Sequence, residues 1–233
     1  MLHRERLDEV GLMTRGLAVL LATVLFAALA FVLQPSAGAK STGPVVASQR
    51  VTIAARPPVL AGNQATTLYG SVDSGRADEI VTIQARDCGQ RSFTGVASAT
   101  TRSGGAWTAE YWPRITTTLR AVWKGAASAP IMVRQHAFVA LYHRSSTRFE
   151  VFLSGKWSFW HKRVLIQRRD GGSWATVKSV LLTETGAQPG YSQAWTSAEF
   201  KASVRKGTQV RAVLPLSQAR PCYLAGVSKS VRT

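Results

Sequence analysis

The sequence predicts an all-β protein: two small Greek-key β-sandwiches in tandem, behind an N-terminal apolar signal helix. Three observations predict it. One stretch occurs twice, as Val81-Thr-Ile-Gln-Ala-Arg-Asp-Cys-Gly with Ser92-Phe93-Thr-Gly-Val96-Ala-Ser98, and as Val164-Leu-Ile-Gln-Arg-Arg-Asp-Gly-Gly with Ser173-Trp174-Ala-Thr-Val177-Lys-Ser179. Only Gln90 and Arg91 are inserted between the copies. A repeat of this kind marks two copies of one structural unit. Each copy is an alternating apolar run, a turn and a second alternating run, which is a β-hairpin signature. Turn signals then recur roughly every 8–12 residues, the spacing of a sandwich of short strands.

The chain of 233 residues has room for a targeting segment and two such units. Leu17 to Leu33 is an uncharged apolar run, preceded by Arg15 and ended by Gln34-Pro35. Ala37-Gly38-Ala39 follows with small residues at both cleavage-determining positions. That order describes a Sec-type signal peptide over 1–39, cut before Lys40. A run of 17 residues also reaches the short edge of a membrane span, so a signal anchor is the alternative. Met13-Thr-Arg15 is a more ordinary leader start than Met1, which leaves two candidate initiators. Residues 40–49, broken by Gly43-Pro44, read as a flexible lead-in.

The first unit is assigned to 50–135. Val51–Ala54 is its first strand, stopped by Pro57-Pro58, and Thr66–Val72 is its second. Ile80–Ala85 is the third, with Val81, Ile83 and Ala85 on one face and Thr82 and Gln84 on the other, as in a sheet with one wet side. Phe93–Ala99, Trp107–Trp112, Thr117–Trp123 and Ile131–Arg134 complete it. The second unit, 136–233, repeats the order with Phe138–Tyr142, Phe149–Leu153, Val164–Arg168, Ala175–Leu182, Tyr191–Phe200, Val210–Val213 and Val227–Val231. Ala106-Trp107-Thr108 matches Ala194-Trp195-Thr196, and Arg120-Ala-Val-Trp123 matches Arg211-Ala-Val-Leu214. Only His136-Ala137 separates the units, which restricts bending between them.

The Gln-x-Arg hairpin, the Gly-x-Trp-Thr strand and the Arg-Ala-Val-Trp strand resemble the tandem Ig-like repeats of secreted bacterial, actinobacterial-type surface proteins, over essentially all of 50–232. The resemblance implies two tandem Ig-like sandwiches at a cell surface. Neither unit carries the two internal cysteines of an antibody-type bridge. In an Ig-like sandwich, the turn after the third strand of unit one and the sixth-to-seventh-strand loop of unit two both face the junction. Cys88 lies in the first and Cys222 in the second, so an interdomain Cys88–Cys222 disulfide is expected, in keeping with a secreted chain.

Charge is uneven. Residues 1–39 are neutral, residues 40–133 hold 10 basic and 5 acidic residues, and residues 134–233 hold 16 basic and 4 acidic, net +12. Such an excess favours acidic partners, here an acidic cell-envelope polymer or glycan; solubility alone is the plainer reading. Lys156, Lys162, Arg163, Arg168 and Arg169 are the candidate contacts. Lys156-Trp-Ser-Phe-Trp-His-Lys-Arg163 also interleaves aromatics with cations, so Trp157 and Trp160 are candidate carbohydrate contacts. Packing at the junction is the alternative, with Trp160 placed there. Trp107, Trp123, Trp174 and Trp195 are assigned to the core, and Trp112 and Phe200 to partly exposed strand ends.

No catalytic elbow, zinc-type spacing, phosphate loop or calcium loop occurs, so no enzyme, metal or cofactor is expected. The expected protein is a monomeric, secreted or cell-surface structural or adhesive module. The alternatives are a carbohydrate-binding module using Trp157 and Trp160, and a module whose partner is another surface protein. Nucleic acid is not the expected ligand. Membrane contact is expected only through an uncleaved N-terminal segment.

Overall fold

In the computed structural model the described residues are 50–187 and 193–233. The predicted signal segment and lead-in lie outside them. Among the described residues no helix is long and apolar enough to cross a membrane.

The first half contains β1 (Ala54–Arg56), β2 (Val59–Ala61), β3 (Thr66–Ser71), β4 (Ile80–Asp87), β5 (Thr94–Thr100), β6 (Ala106–Tyr111), β7 (Thr117–Trp123), β8 (Ala126–Ala127) and β9 (Ile131–His136). One sheet runs β1-β3-β6; the other runs β2-β9-β7-β4-β5, with β8 on β7. The second half contains β10 (Phe138–His143), β11 (Arg148–Gly155), β12 (Arg163–Asp170), β13 (Ser173–Leu181), β14 (Glu184–Ala187), β15 (Ala194–Lys201), β16 (Gln209–Leu214), α1 (Leu216–Ala219), β17 (Gly226–Val227) and β18 (Val231–Arg232). Its sheets run β10-β11-β15-β14 and β13-β12-β16-β17, with β18 also on β16. In each half the chain crosses between sheets, so that β6 returns beside β3 and β15 beside β11. This all-β, sandwich-like arrangement is consistent with the Ig-like expectation.

Alternation explains the layers. In β7 every second residue is buried, from Thr117 through Leu119 and Ala121 to Trp123, and β11 buries Phe149, Val151 and Leu153. Val81, Ile83, Leu68, Trp107 and Leu119 meet in the first core; Val151, Ile166, Ala198 and Leu214 meet in the second. Ile115, from the segment between β6 and β7, is fully buried in the second core.

The repeated hairpin keeps its irregularities. The β4–β5 register shifts between Ile83 and Gln84, and the β12–β13 register shifts between Ile166 and Gln167. Ser128 and Ser228 are also equivalent: each accepts the N–H of a β7 or β16 alanine, Ala121 at 3.0 Å and Ala212 at 2.9 Å.

Several predicted strands move. Val51 forms only an isolated bridge with Val72, and the first strand begins at Ala54. The chain resumes pairing immediately after Pro57-Pro58, because a proline carbonyl still accepts: Arg134 N–H donates to Pro58 O at 2.9 Å, and β2 runs parallel to β9. Glu-Thr-Gly-Ala at β14 lacks apolar alternation and is a strand only through pairing with β15. The predicted strand over 191–200 is β15, which it covers except for Lys201; Tyr191 lies outside the described residues.

The Ala-Trp-Thr match is not a structural match. Trp107 is buried in the first core, whereas in β15 the inward residues are Thr196, Ala198 and Phe200, and Trp195 faces out. A one-residue slip in register reverses every side chain on a strand, which turns the second Trp to the surface. Trp174 is likewise not core; it lies half-buried on the outer side of β13. Phe200 is buried at 8% exposure, while Trp112 is half exposed at 49%.

Candidate functional site

The segment linking β11 to β12 divides between two tasks. Its first residues tie the halves together. The Lys156 ammonium pairs with the Asp87 carboxylate, whose other oxygen accepts from Thr117 Oγ1 at 2.7 Å. The Lys156 N–H donates to Tyr223 Oη at 2.8 Å, and Tyr223 Oη donates to the Arg114 carbonyl at 3.1 Å. Burial pushes the Tyr223 hydroxyl up to about 12, opposed by backbone N–H groups of Lys156 and Trp157 and reinforced by the Asp87 charge. Trp157 covers Gly89, whose φ is +85° and whose Cβ, if present, would lie 2.4 Å from the indole. Trp157, not Trp160, therefore packs at the junction. Phe159 is buried and tilts against Tyr223, with ring centroids 5.1 Å apart.

The disulfide Cys88–Cys222 lies beside this network. The Thr116 backbone bridges both cysteines, accepting from the Cys88 N–H at 2.9 Å and donating to Cys222 O at 3.2 Å.

The later residues of the segment face outward. Trp160 is 51% exposed and stacks on His161 at 3.6 Å between centroids. Lys162 is half-buried and Arg163 exposed. Arg168 and Arg169 stand at the other end of β12, about 20 Å away at the usual strand rise. Consecutive strand residues point to opposite faces, so these two diverge. Arg168 approaches Asp170 at 3.4 Å, and Arg169 lies over the Trp174 ring at 5.5 Å. The candidate cations therefore do not form one patch.

What the fold assembles around Arg169 includes residues that the sequence reading did not nominate. Arg211, on β16, reaches across β12 to lie over the Trp174 ring of β13 at 4.1 Å, and its Nε donates to Gln167 Oε1 at 2.9 Å. The first half builds the same group: Arg120 over Phe93 at 4.3 Å, its Nε on Gln84 Oε1 at 2.8 Å, with Arg86 on the same ring at 4.8 Å. Each ring is flanked by two guanidinium groups, a cation–π arrangement on the wet side of the larger sheet. The Gln fixes the Nε side of Arg120 and Arg211, and among the described residues the Nη groups of both have no hydrogen-bond partner. A free pair of Nη groups held by a ring and an amide suits bidentate binding of a carboxylate or phosphate. The signal was in the repeat: Gln, Phe or Trp, and Arg recur at matched positions.

Ion pairs engage Arg144, Lys156 and Arg168 in the second half, among the described residues. The described residues hold no group of three or more His, Cys, Asp or Glu side chains placed for a metal ion.

No family model matches the chain. No curated protein matches it either. Among solved structures, it is similar to a tetra-tandem repeat in the extending region of a large adhesion protein, at 13% identity and a TM-score of 0.35. The match covers 79% of this chain and 49% of that one, so the chain spans about half the length of that structure.

Proposed function

We propose that the protein is a secreted or cell-surface module of two tandem Ig-like sandwiches, 50–135 and 136–233, which contacts acidic envelope polymer through its basic second half. The observation that carries the reading is the Arg169–Trp174–Arg211 stack, with Gln167 holding Arg211 and its Nη groups unpartnered. A guanidinium already ordered by ring and amide loses little freedom when an anion arrives. The charge of the second half, 16 basic against 4 acidic residues, supplies the long-range attraction. The disulfide supports an oxidising, extracytoplasmic location. The role is structural or adhesive rather than catalytic.

The test is co-sedimentation of the purified protein with a cell-envelope preparation across a salt series. Binding is expected at low salt, fading as screening shortens the range of the charges. A double variant, Arg169→Ala with Arg211→Ala, is expected to bind more weakly and with a shallower salt dependence. Absent binding at low salt, or binding that ignores both salt and the variant, overturns the reading.

A further inference from the structure

The outer face of the β10-β11-β15-β14 sheet differs in kind from the cationic surface around it. Register places Phe138, Ser154, Trp195 and Gly186 in one row across the four strands. The next outward row is Ala140, Phe152, Ser197 and Glu184, and the row after it is Tyr142, Glu150 and Glu199. The residues between these rows, such as Val139, Leu153 and Thr196, are buried in the core. The face thus combines four aromatic rings with three carboxylates, of which Glu150 is already paired with Arg144, whose guanidinium also lies over the Tyr142 ring at 4.9 Å. Those three are among only 4 acidic residues in 134–233, so the acids of the basic half are concentrated here.

The aromatic surface is laid flat. A Cβ on Gly186 would lie 2.6–2.8 Å from Cζ2, Cε2 and Nε1 of Trp195. The indole therefore rests on the bare backbone of β14, and Gly186 is the residue that permits it. Phe152 lies nearly parallel to the indole, at 16° with centroids 6.4 Å apart. Phe138 and Tyr142 remain 41% and 42% exposed. From the first row to the third is about 13 Å, the length of two or three sugar rings. At the margin, Glu184 accepts from Ser197 Oγ at 3.0 Å through one oxygen, and its other oxygen has no partner among the described residues.

We propose that this face binds an uncharged, extended, β-linked glycan. The ring faces carry negative quadrupole potential, which attracts the slightly positive C–H groups on the flat side of a pyranose. The sugar hydroxyls then donate to the carboxylates of Glu184 and Glu199 in charge-assisted bonds, which a neutral ligand makes without like-charge repulsion. Glu184 and Glu199, which no ion pair engages among the described residues, disfavour the acidic polymer assigned to the arginine face. The site is separate from the Trp157 and Trp160 segment.

The test is titration calorimetry of the full chain at about 1 M salt, where the screening length is about 3 Å. The probes are the β-1,4-linked tetrasaccharides of N-acetylglucosamine and of glucose. At least one is expected to bind saturably, with Trp195→Ala and Gly186→Val each weakening it about tenfold or more and Trp160→Ala leaving it unchanged. Glu184→Gln keeps the side-chain shape, so it serves should the larger changes disturb folding; it is expected to weaken binding roughly fivefold. Failure of both probes, or equal binding by wild type, Trp195→Ala and Glu184→Gln, overturns the proposal. So does a dimer that Trp195→Ala abolishes, since a second copy would then be the occupant. Arg211→Ala is expected to leave this binding intact, which separates the outcome from that of the acidic-polymer test.

Discussion

Cys88 and Cys222 close a 134-residue loop across the junction, with their Cα atoms 5.4 Å apart. The bridge joins the turn after β4 to the segment after α1, two places otherwise linked only by side chains and a few backbone bonds. Cross-linking so distant a pair removes loop-closure entropy from the unfolded chain, about 2–5 kcal/mol. Replacing both cysteines with serine is expected to lower the denaturant midpoint accordingly. A reductant should lower the wild-type midpoint and leave the variant's unchanged.

Tyr223 gives the junction an alkaline limit. Its hydroxyl is raised from 10.0 to about 12 by burial, and Tyr111 is raised to about 12 in the same way, with Asp87 adding to both. The fold thus favours the neutral phenols. Their stabilising effect is complete below pH 10 and is lost as pH rises through about 12. Tyrosinate absorbance and near-UV dichroism are expected to change together over that window. Tyr223→Phe should make the alkaline loss shallower.

The same substitution has a cost at neutral pH. Tyr223→Phe leaves the Lys156 N–H and the Arg114 carbonyl without their shared partner. Unsatisfied groups in a largely buried position cost about 1–3 kcal/mol. Urea unfolding at pH 7 is the measurement, and an unchanged midpoint would show that water replaces the hydroxyl.

Gly89→Ala addresses the other side of the junction. The position combines φ of +85° with a Cβ site 2.4 Å from Trp157. Both effects disfavour any side chain, and together they are expected to destabilise by about 1–3 kcal/mol. Trp157 should move into solvent, read as a red shift in fluorescence that a Trp157→Phe background removes.

Ser228→Ala is expected to cost about 1–2 kcal/mol, because the buried Ala212 N–H loses its acceptor. Ser128→Ala should cost a similar amount through Ala121. Comparable losses in thermal unfolding would confirm that the two halves use the same local device.

The large features were legible because they follow alternation and repetition. Val81, Ile83, Val164 and Ile166 announced their strands and inward faces, and the placement of Cys88 and Cys222 followed from strand order. Trp195 shows where that logic ended. Its sequence match to Trp107 was sound, but a single step of register decides which side a strand residue faces, and no local signal carries it. Arg211 was passed over for a related reason. In the sequence Arg211 is one residue of a repeated strand, and it gains meaning only beside Gln167 on the adjacent β12 and Trp174 one strand further, on β13. Lys156 shows the opposite case: an exposed-looking cation in a mixed aromatic run is held by Asp87 from the other half.

The covalent loop has a mechanical meaning. A pull applied to the two ends of the chain reaches Cys88 from one side and Cys222 from the other, and passes between them through the sulfurs. The 134 residues spanned by the bridge carry none of that load and cannot be drawn out. At about 3.5 Å per residue they represent roughly 470 Å of chain withheld from extension. Under tension an oxidised molecule should yield only its N-terminal strands and its last few residues, then stop as a short, stiff tether; a reduced one should pay out its full length.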